Sequence, residues 1–138
     1  MKRIYIVDDS EAIRQKLIGL LAESMQVSVV GQADGAEMAL DGIRELQPDI
    51  VLLDIRLPGK SGLWLLAEIK RNWPDIAVMI MTNYDYPQYR RQSFEAGADD
   101  FFNKTLDFER MIHLLVSGQS PGTARRSSGI LGRSKRQE

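Results

Sequence analysis

Asp8, Asp9 and Asp54 each follow directly on an apolar run, residues 4–7 for the first pair and 50–53 for the third. Thr82 ends another such run, residues 78–81, and Lys104 closes the stretch Asp99-Asp100-Phe101-Phe102-Asn103. If the runs are strands of one parallel sheet, their carboxyl ends share an edge, and residues far apart in sequence converge there. Three carboxylates, a hydroxyl and an ammonium then share a pocket, and the chemistry they suit is phosphoryl transfer. Asp54 can attack a phosphoryl group once its own charge and those of Asp8 and Asp9 are offset by a divalent cation. Magnesium fits, because it is hard, prefers oxygen and keeps several waters, so one or two carboxylates and a main-chain carbonyl suffice beside a phosphoryl oxygen. Lys104 and the Thr82 hydroxyl supply the remaining charge stabilisation.

Taken singly, each residue has a plainer role. Asp9 can be a helix-flanking acid, Asp54 a turn former, Thr82 a β-branched strand residue and Lys104 a solvated lysine. Nothing structural asks for all five at the same sheet edge. His113 is a lone histidine in an amphipathic helix with no acid or metal-ligand partner at helical spacing, which argues against a phosphorylation role, while Trp64 and Trp73 read as packing or partly exposed residues.

The elements that must position these groups alternate strand and helix. After the first strand, Ser10 can cap a helix in which Ile13, Leu17, Leu20, Leu21 and Met25 recur at helical spacing. A second strand over residues 27–31 precedes a helix over 35–46 with Met38, Ala39, Ile43 and Leu46 inward, stopped by Gln47-Pro48. The third strand, 49–53, is apolar on both faces, as a central parallel strand must be. A loop, residues 57–62, leads into a helix with Leu63, Leu65, Leu66 and Ile69 that ends near Trp73-Pro74. A fourth strand over 76–81 is followed by a helix that Pro87 starts and Gly97 closes as a left-handed C-cap. A short fifth strand at Phe101-Phe102 precedes a helix capped by Asp107 and carrying Met111, Ile112, Leu114 and Leu115. Five βα units make an α/β chain.

Val7-Asp8-Asp9-Ser10, Leu53-Asp54-Ile55-Arg56-Leu57-Pro58-Gly59, Met81-Thr82, Glu95-Ala96-Gly97-Ala98 and Asn103-Lys104, in this order and spacing, resemble the receiver domain of bacterial two-component response regulators. The resemblance covers nearly all of residues 1–118, and its details are closest to receivers usually joined to a helix-turn-helix output domain. It implies a single doubly wound, flavodoxin-like parallel sheet of five strands in the order 2-1-3-4-5 with five helices. It also implies that Asp54 is the phospho-acceptor and that Asp9, Asp54 and the Arg56 main-chain carbonyl hold Mg2+, with Asp8 acting mainly through metal-bound water. Thr82 and Lys104 would contact the phosphoryl group, and Thr82 with Phe101 would form a switch that moves the helix 4–strand 5–helix 5 surface. Two departures stand out. The residue after the lysine is usually a proline in a cis peptide in that family, whereas here it is Thr105, and a non-proline cis bond costs roughly 2.5–4 kcal/mol, so a trans peptide is expected. Phe101 occupies the switch position, where tyrosine is also common, and lacks a hydroxyl to hydrogen-bond outward.

Composition sets the outer bounds. The chain of 138 residues, 43% hydrophobic and 27% charged, suits one domain with a real core, and it has no cysteine. With no apolar stretch of membrane-spanning length, a cytoplasmic protein without a membrane partner is expected. After Pro121 five basic residues face only Glu138, so this segment carries +4 and the rest −5. Its Gly, Ser and Arg content predicts a basic, disordered tail over 119–138 following a receiver over 1–118, with at most salt-sensitive attraction to phosphates and no sequence-specific DNA binding. The expected function is that of a stand-alone, non-enzymatic response regulator. It takes a phosphoryl group from a histidine kinase or histidine phosphotransfer protein and passes the signal to a downstream protein, with a homodimer through helix 4–strand 5–helix 5 possible. The rival reading is a receiver-fold adaptor that works without phosphorylation. A small hydrolase with an Asp nucleophile fits less well, since no second acid stands two residues after Asp54 to protonate a leaving group.

Overall fold

The computed structural model describes residues 1–117; the basic tail expected over 119–138 lies outside the described residues. The chain alternates β1 (Lys2–Val7), α1 (Glu11–Leu21), β2 (Val27–Ala33), α2 (Ala36–Leu46), β3 (Ile50–Leu53), α3 (Gly62–Asn72), β4 (Ala77–Thr82), α4 (Pro87–Glu95), β5 (Asp100–Asn103) and α5 (Phe108–Val116). All pairings are parallel and the sheet order is β2-β1-β3-β4-β5, the flavodoxin-like arrangement expected. Every βα unit therefore delivers its carboxyl end to the same edge.

Alternation along the strands sorts the core into two layers. Tyr5, Val7, Val51, Leu53, Val78, Ile80 and Phe101 face one way, onto α2 and α3 and the inner side of α4. Ile4, Ile6, Ile50, Leu52, Met79, Met81 and Phe102 face the other way, onto α1 and α5. β3 is buried at all four positions, which is why its sequence shows no alternation.

One inward assignment, Met38, is corrected, and two apolar residues at helical spacing in the first helical segment, Leu20 and Met25, lie outside the core. Leu17 and Leu21 carry the buried line of α1, whereas Leu20 lies at its exposed margin and Met25, beyond the end of the helix, is 85% exposed. On α2 the inward line is Ala36, Ala39 and Ile43; Met38, about 100° around the helix from Ala39, is 62% exposed.

Local chemistry explains the ends. The Ser10 hydroxyl accepts from Ile13 N (3.2 Å) and caps α1, an interaction worth about 1 kcal/mol. At the end of α4, Gly97 has φ +105°, Gly97 N donates to Phe94 O and Ala98 N to Ser93 O, so the glycine closes the helix as expected. Asp107 does stand at the start of α5, but its side chain does not cap that helix. Its Oδ2 accepts from Asn103 N (2.8 Å) and ties the preceding loop instead. Among the described residues every peptide bond is trans, Lys104–Thr105 included, and no helix is long and apolar enough to cross a membrane.

Candidate functional site

Asp8 and Asp54 are the first residues past β1 and β3, and the sheet ladder carries on into both: Asp8 N donates to Ala33 O and Asp54 N to Val7 O. The sheet thus fixes the backbone from which both carboxylates project. Asp8, Asp9 and Asp54 each offer an oxygen within 4.8 Å of the others. Lys104 reaches them from the loop after β5, its Nζ 2.7 Å from Asp54 Oδ2 and 2.7 Å from Asp8 Oδ2. Thr82 is fully buried at the end of β4, and its hydroxyl accepts from Tyr84 N (3.1 Å).

Asp8 is sealed from solvent. Its Oδ1 accepts from Ser10 N (2.8 Å), while Oδ2 has only the close approach of the lysine ammonium, without the alignment of a hydrogen bond. Burial, the largest influence, pushes the Asp8 carboxyl above its ordinary value despite Lys104. Burial also acts to lower the Lys104 ammonium, but the hydrogen bond it donates to Asp54 and the negative charge of Asp8 beside it outweigh burial and hold that group above its ordinary value. One ammonium thus faces three carboxylates, one of which has a buried oxygen without a directed partner. That donor set, all oxygen and short of positive charge, fits a hard divalent cation.

Asp9, Asp54, Arg56 and Lys104 line a depression of about 430 Å³, with Leu57, Pro58 and Tyr84 at its rim. Asp54 Oδ1 accepts from Arg56 N at 3.3 Å, and the Arg56 guanidinium lies over the Tyr84 ring at 4.4 Å. Of the residues predicted from the sequence, Asp8, Asp9, Asp54, Arg56 and Lys104 are thereby brought together, Thr82 is joined to them through the bond from Lys104 N to its carbonyl oxygen, and Phe101 stands apart. That ring, 3% exposed, lies in the core against Phe94 (centroids 6.5 Å apart) and beneath the Arg90 guanidinium (5.3 Å). Tyr84 at the rim was not singled out from the sequence; its place two residues past a strand's carboxyl end was the available signal. His113 is exposed on α5, and Trp64 and Trp73 pack half-buried against the core.

A family model described as the response regulator receiver domain matches residues 4–116. The chain belongs to that family. It is 35% identical over 122 residues to the response regulator GacA of Pseudomonas viridiflava, a match spanning 86% of this chain and 57% of that protein. It is 42% identical over 107 residues to an uncharacterized response regulatory protein of Vibrio cholerae, spanning 77% of this chain and 44% of that one. Among solved structures, a LuxR-family DNA-binding response regulator from Staphylococcus aureus superposes with a TM-score of 0.79 at 26% identity, covering 87% of this chain and all of that one. The chain spans about half the length of the curated relatives it matches. As a receiver, it is a two-component signalling module, and its acidic cluster lies at the sheet edge where the resemblance placed it.

Proposed function

We propose that this receiver accepts a phosphoryl group on Asp54 from a phosphohistidine of a histidine kinase or histidine phosphotransfer protein. The observation that carries the reading is the Asp54 carboxylate, on a backbone held by the sheet, bonded by Lys104 at 2.7 Å and lining a depression at the sheet edge. An Asp54 oxygen forms the new P–O bond as the P–N bond to the donor imidazole breaks, and the imidazole leaves protonated at one nitrogen. Magnesium, held by Asp9, Asp54 and the Arg56 main-chain carbonyl with Asp8 beside them, would neutralise the phosphoryl oxygens. Lys104 turns its ammonium to one of those oxygens. Thr82, whose hydroxyl oxygen already accepts from Tyr84 N, has its own proton free to donate to another. The chain contributes positioning and charge to its own phosphorylation and dephosphorylation rather than turning over a substrate.

The output follows from Thr82. If its hydroxyl is drawn toward the phosphoryl group, the contacts of β4 with β5 shift and Phe101, already inside the core, repacks against Phe94 and Arg90. The α4–β5–α5 surface then changes for a downstream protein or a second copy, as a shift between existing states. Beryllofluoride and magnesium, which mimic the phosphorylated site, test this on a fluorophenylalanine-labelled chain. The Phe101 resonance should shift in the wild type and stay in place in Asp54→Asn and Thr82→Ala; a wild-type resonance that does not move removes the mechanism.

A further inference from the structure

Asn103, the last residue of β5, and the two loop residues after it are each bonded to the end of β4 or to the loop that follows it. Asn103 Nδ2 donates to Asp85 Oδ2 (3.0 Å), Lys104 N to Thr82 O (2.9 Å) and Thr105 Oγ1 to Asn83 Oδ1 (3.1 Å). The loop after β5 is also braced from within, since Asn103 Oδ1 accepts from Thr105 N and Leu106 N (both 2.8 Å) and Asn103 N donates to Asp107 Oδ2. The middle bond is the one any parallel pair makes at its end. The flanking two are side-chain bonds that depend on Asn103, Thr105, Asn83 and Asp85 being what they are.

Their consequence falls on Lys104. A lysine side chain has four rotatable bonds, and holding its ammonium at one point costs much of that freedom. Fixing the backbone on both sides of Lys104 removes one source of error in where Nζ arrives. The bridges add little to the stability of the fold, because Asp85, Asn83 and Thr105 are exposed and water competes for their hydrogen bonds. None of the four bridging residues lines the depression in front of Asp54.

We propose that the Asn103–Asp85 and Thr105–Asn83 bridges are positioning devices for phosphoryl transfer. They hold Lys104 in register with Thr82, so that the ammonium and the hydroxyl meet the phosphoryl group as one unit. Thr105 has a specific part in this: its hydroxyl anchors the far side of the lysine to the opposite loop. The inference rests on the reading of Asp54 as the phospho-acceptor.

The test is the rate of phosphorylation of the full chain by acetyl phosphate in magnesium, measured across donor concentrations. Thr105→Val, which keeps the shape and removes the hydroxyl, combined with Asp85→Ala should lower the maximal rate roughly tenfold, as a small displacement of a charge-stabilising group does. Magnesium affinity, set by the three aspartates, should not change. Thr105→Ser should retain the wild-type rate. In a Lys104→Ala background the same two changes should cause no further loss, because the group they position is gone. An unchanged rate in the double variant, an equal loss without Lys104, or a parallel fall in magnesium affinity overturns the proposal. A wild-type chain that takes up no phosphoryl group at all overturns the phospho-acceptor reading as well, and shows it before any variant is made.

Discussion

The charge balance around Asp8 sets the cost of this site. A carboxylate with a fully buried side chain, one oxygen of which lacks a directed hydrogen bond, is tolerated only because Lys104 stands 2.7 Å away. Replacing one member of such a group with a neutral isostere removes a desolvated charge, and Asp8→Asn should raise the stability of the metal-free protein by about 1 kcal/mol while weakening magnesium binding. Lys104 keeps Asp54 as its partner in that variant. The sign of the pH dependence follows from burial. The Asp8 carboxyl is raised in the folded state, so its contribution favours folding at pH values below the ordinary carboxylate range and is lost as pH rises through its raised value. The stability gap between Asp8→Asn and wild type should therefore be present at neutral pH and close as the solution is acidified. Urea titrations in a chelator at several pH values measure it, and an equal or lower stability of Asp8→Asn at neutral pH contradicts the account.

At the scale of elements, Gly62 decides how closely α3 can approach the site. A Cβ there would lie 2.1 Å from the Asp54 carbonyl oxygen and 2.7 Å from Ile55 Cα, and both are backbone atoms that cannot swing aside. Gly62 N also donates to Ile55 O at 2.7 Å, which draws the helix start onto the strand end. Gly62→Ala should destabilise the fold by about 1–3 kcal/mol through overpacking, and should slow phosphorylation of Asp54 because the carbonyl it displaces belongs to the acceptor residue. Chemical denaturation and the acetyl phosphate rate read the two effects; unaltered values of both would count against this packing. The elements also show what a sequence reading reaches. Strand ends were legible because apolar runs stop at charged residues, so Asp8, Asp9, Asp54, Thr82 and Lys104 could be placed at one edge from the pattern. Burial around a helix was less legible, since Leu20 and Met38 are apolar yet sit one residue off the inward line, and residue type cannot resolve a 100° rotation. The side-chain role of Asp107 and the bridges from Asn103 and Thr105 were not legible, because they depend on how closely two loops approach in space.

For the whole molecule, the sheet holds the backbone at Asp8, Asp54 and Thr82, while Lys104 reaches the acids from the loop after β5. Sequence divides the charge, with an acidic body and a segment after Pro121 of net +4. If residues 1–117 alone do the chemistry, a chain ending at Ser120 should be phosphorylated as fast as the full chain. Only weak nucleic-acid binding that disappears with added salt should be lost with the basic residues. Slower phosphorylation of the shortened chain would assign the segment a part in the reaction. The central claim is that Asp54 receives the phosphoryl group, and intact mass after incubation with acetyl phosphate and magnesium tests it most directly. The account predicts a single added phosphoryl group on the wild-type chain, absent in chelator and absent in Asp54→Asn; an unmodified wild-type chain, or the same added mass on Asp54→Asn, would contradict it.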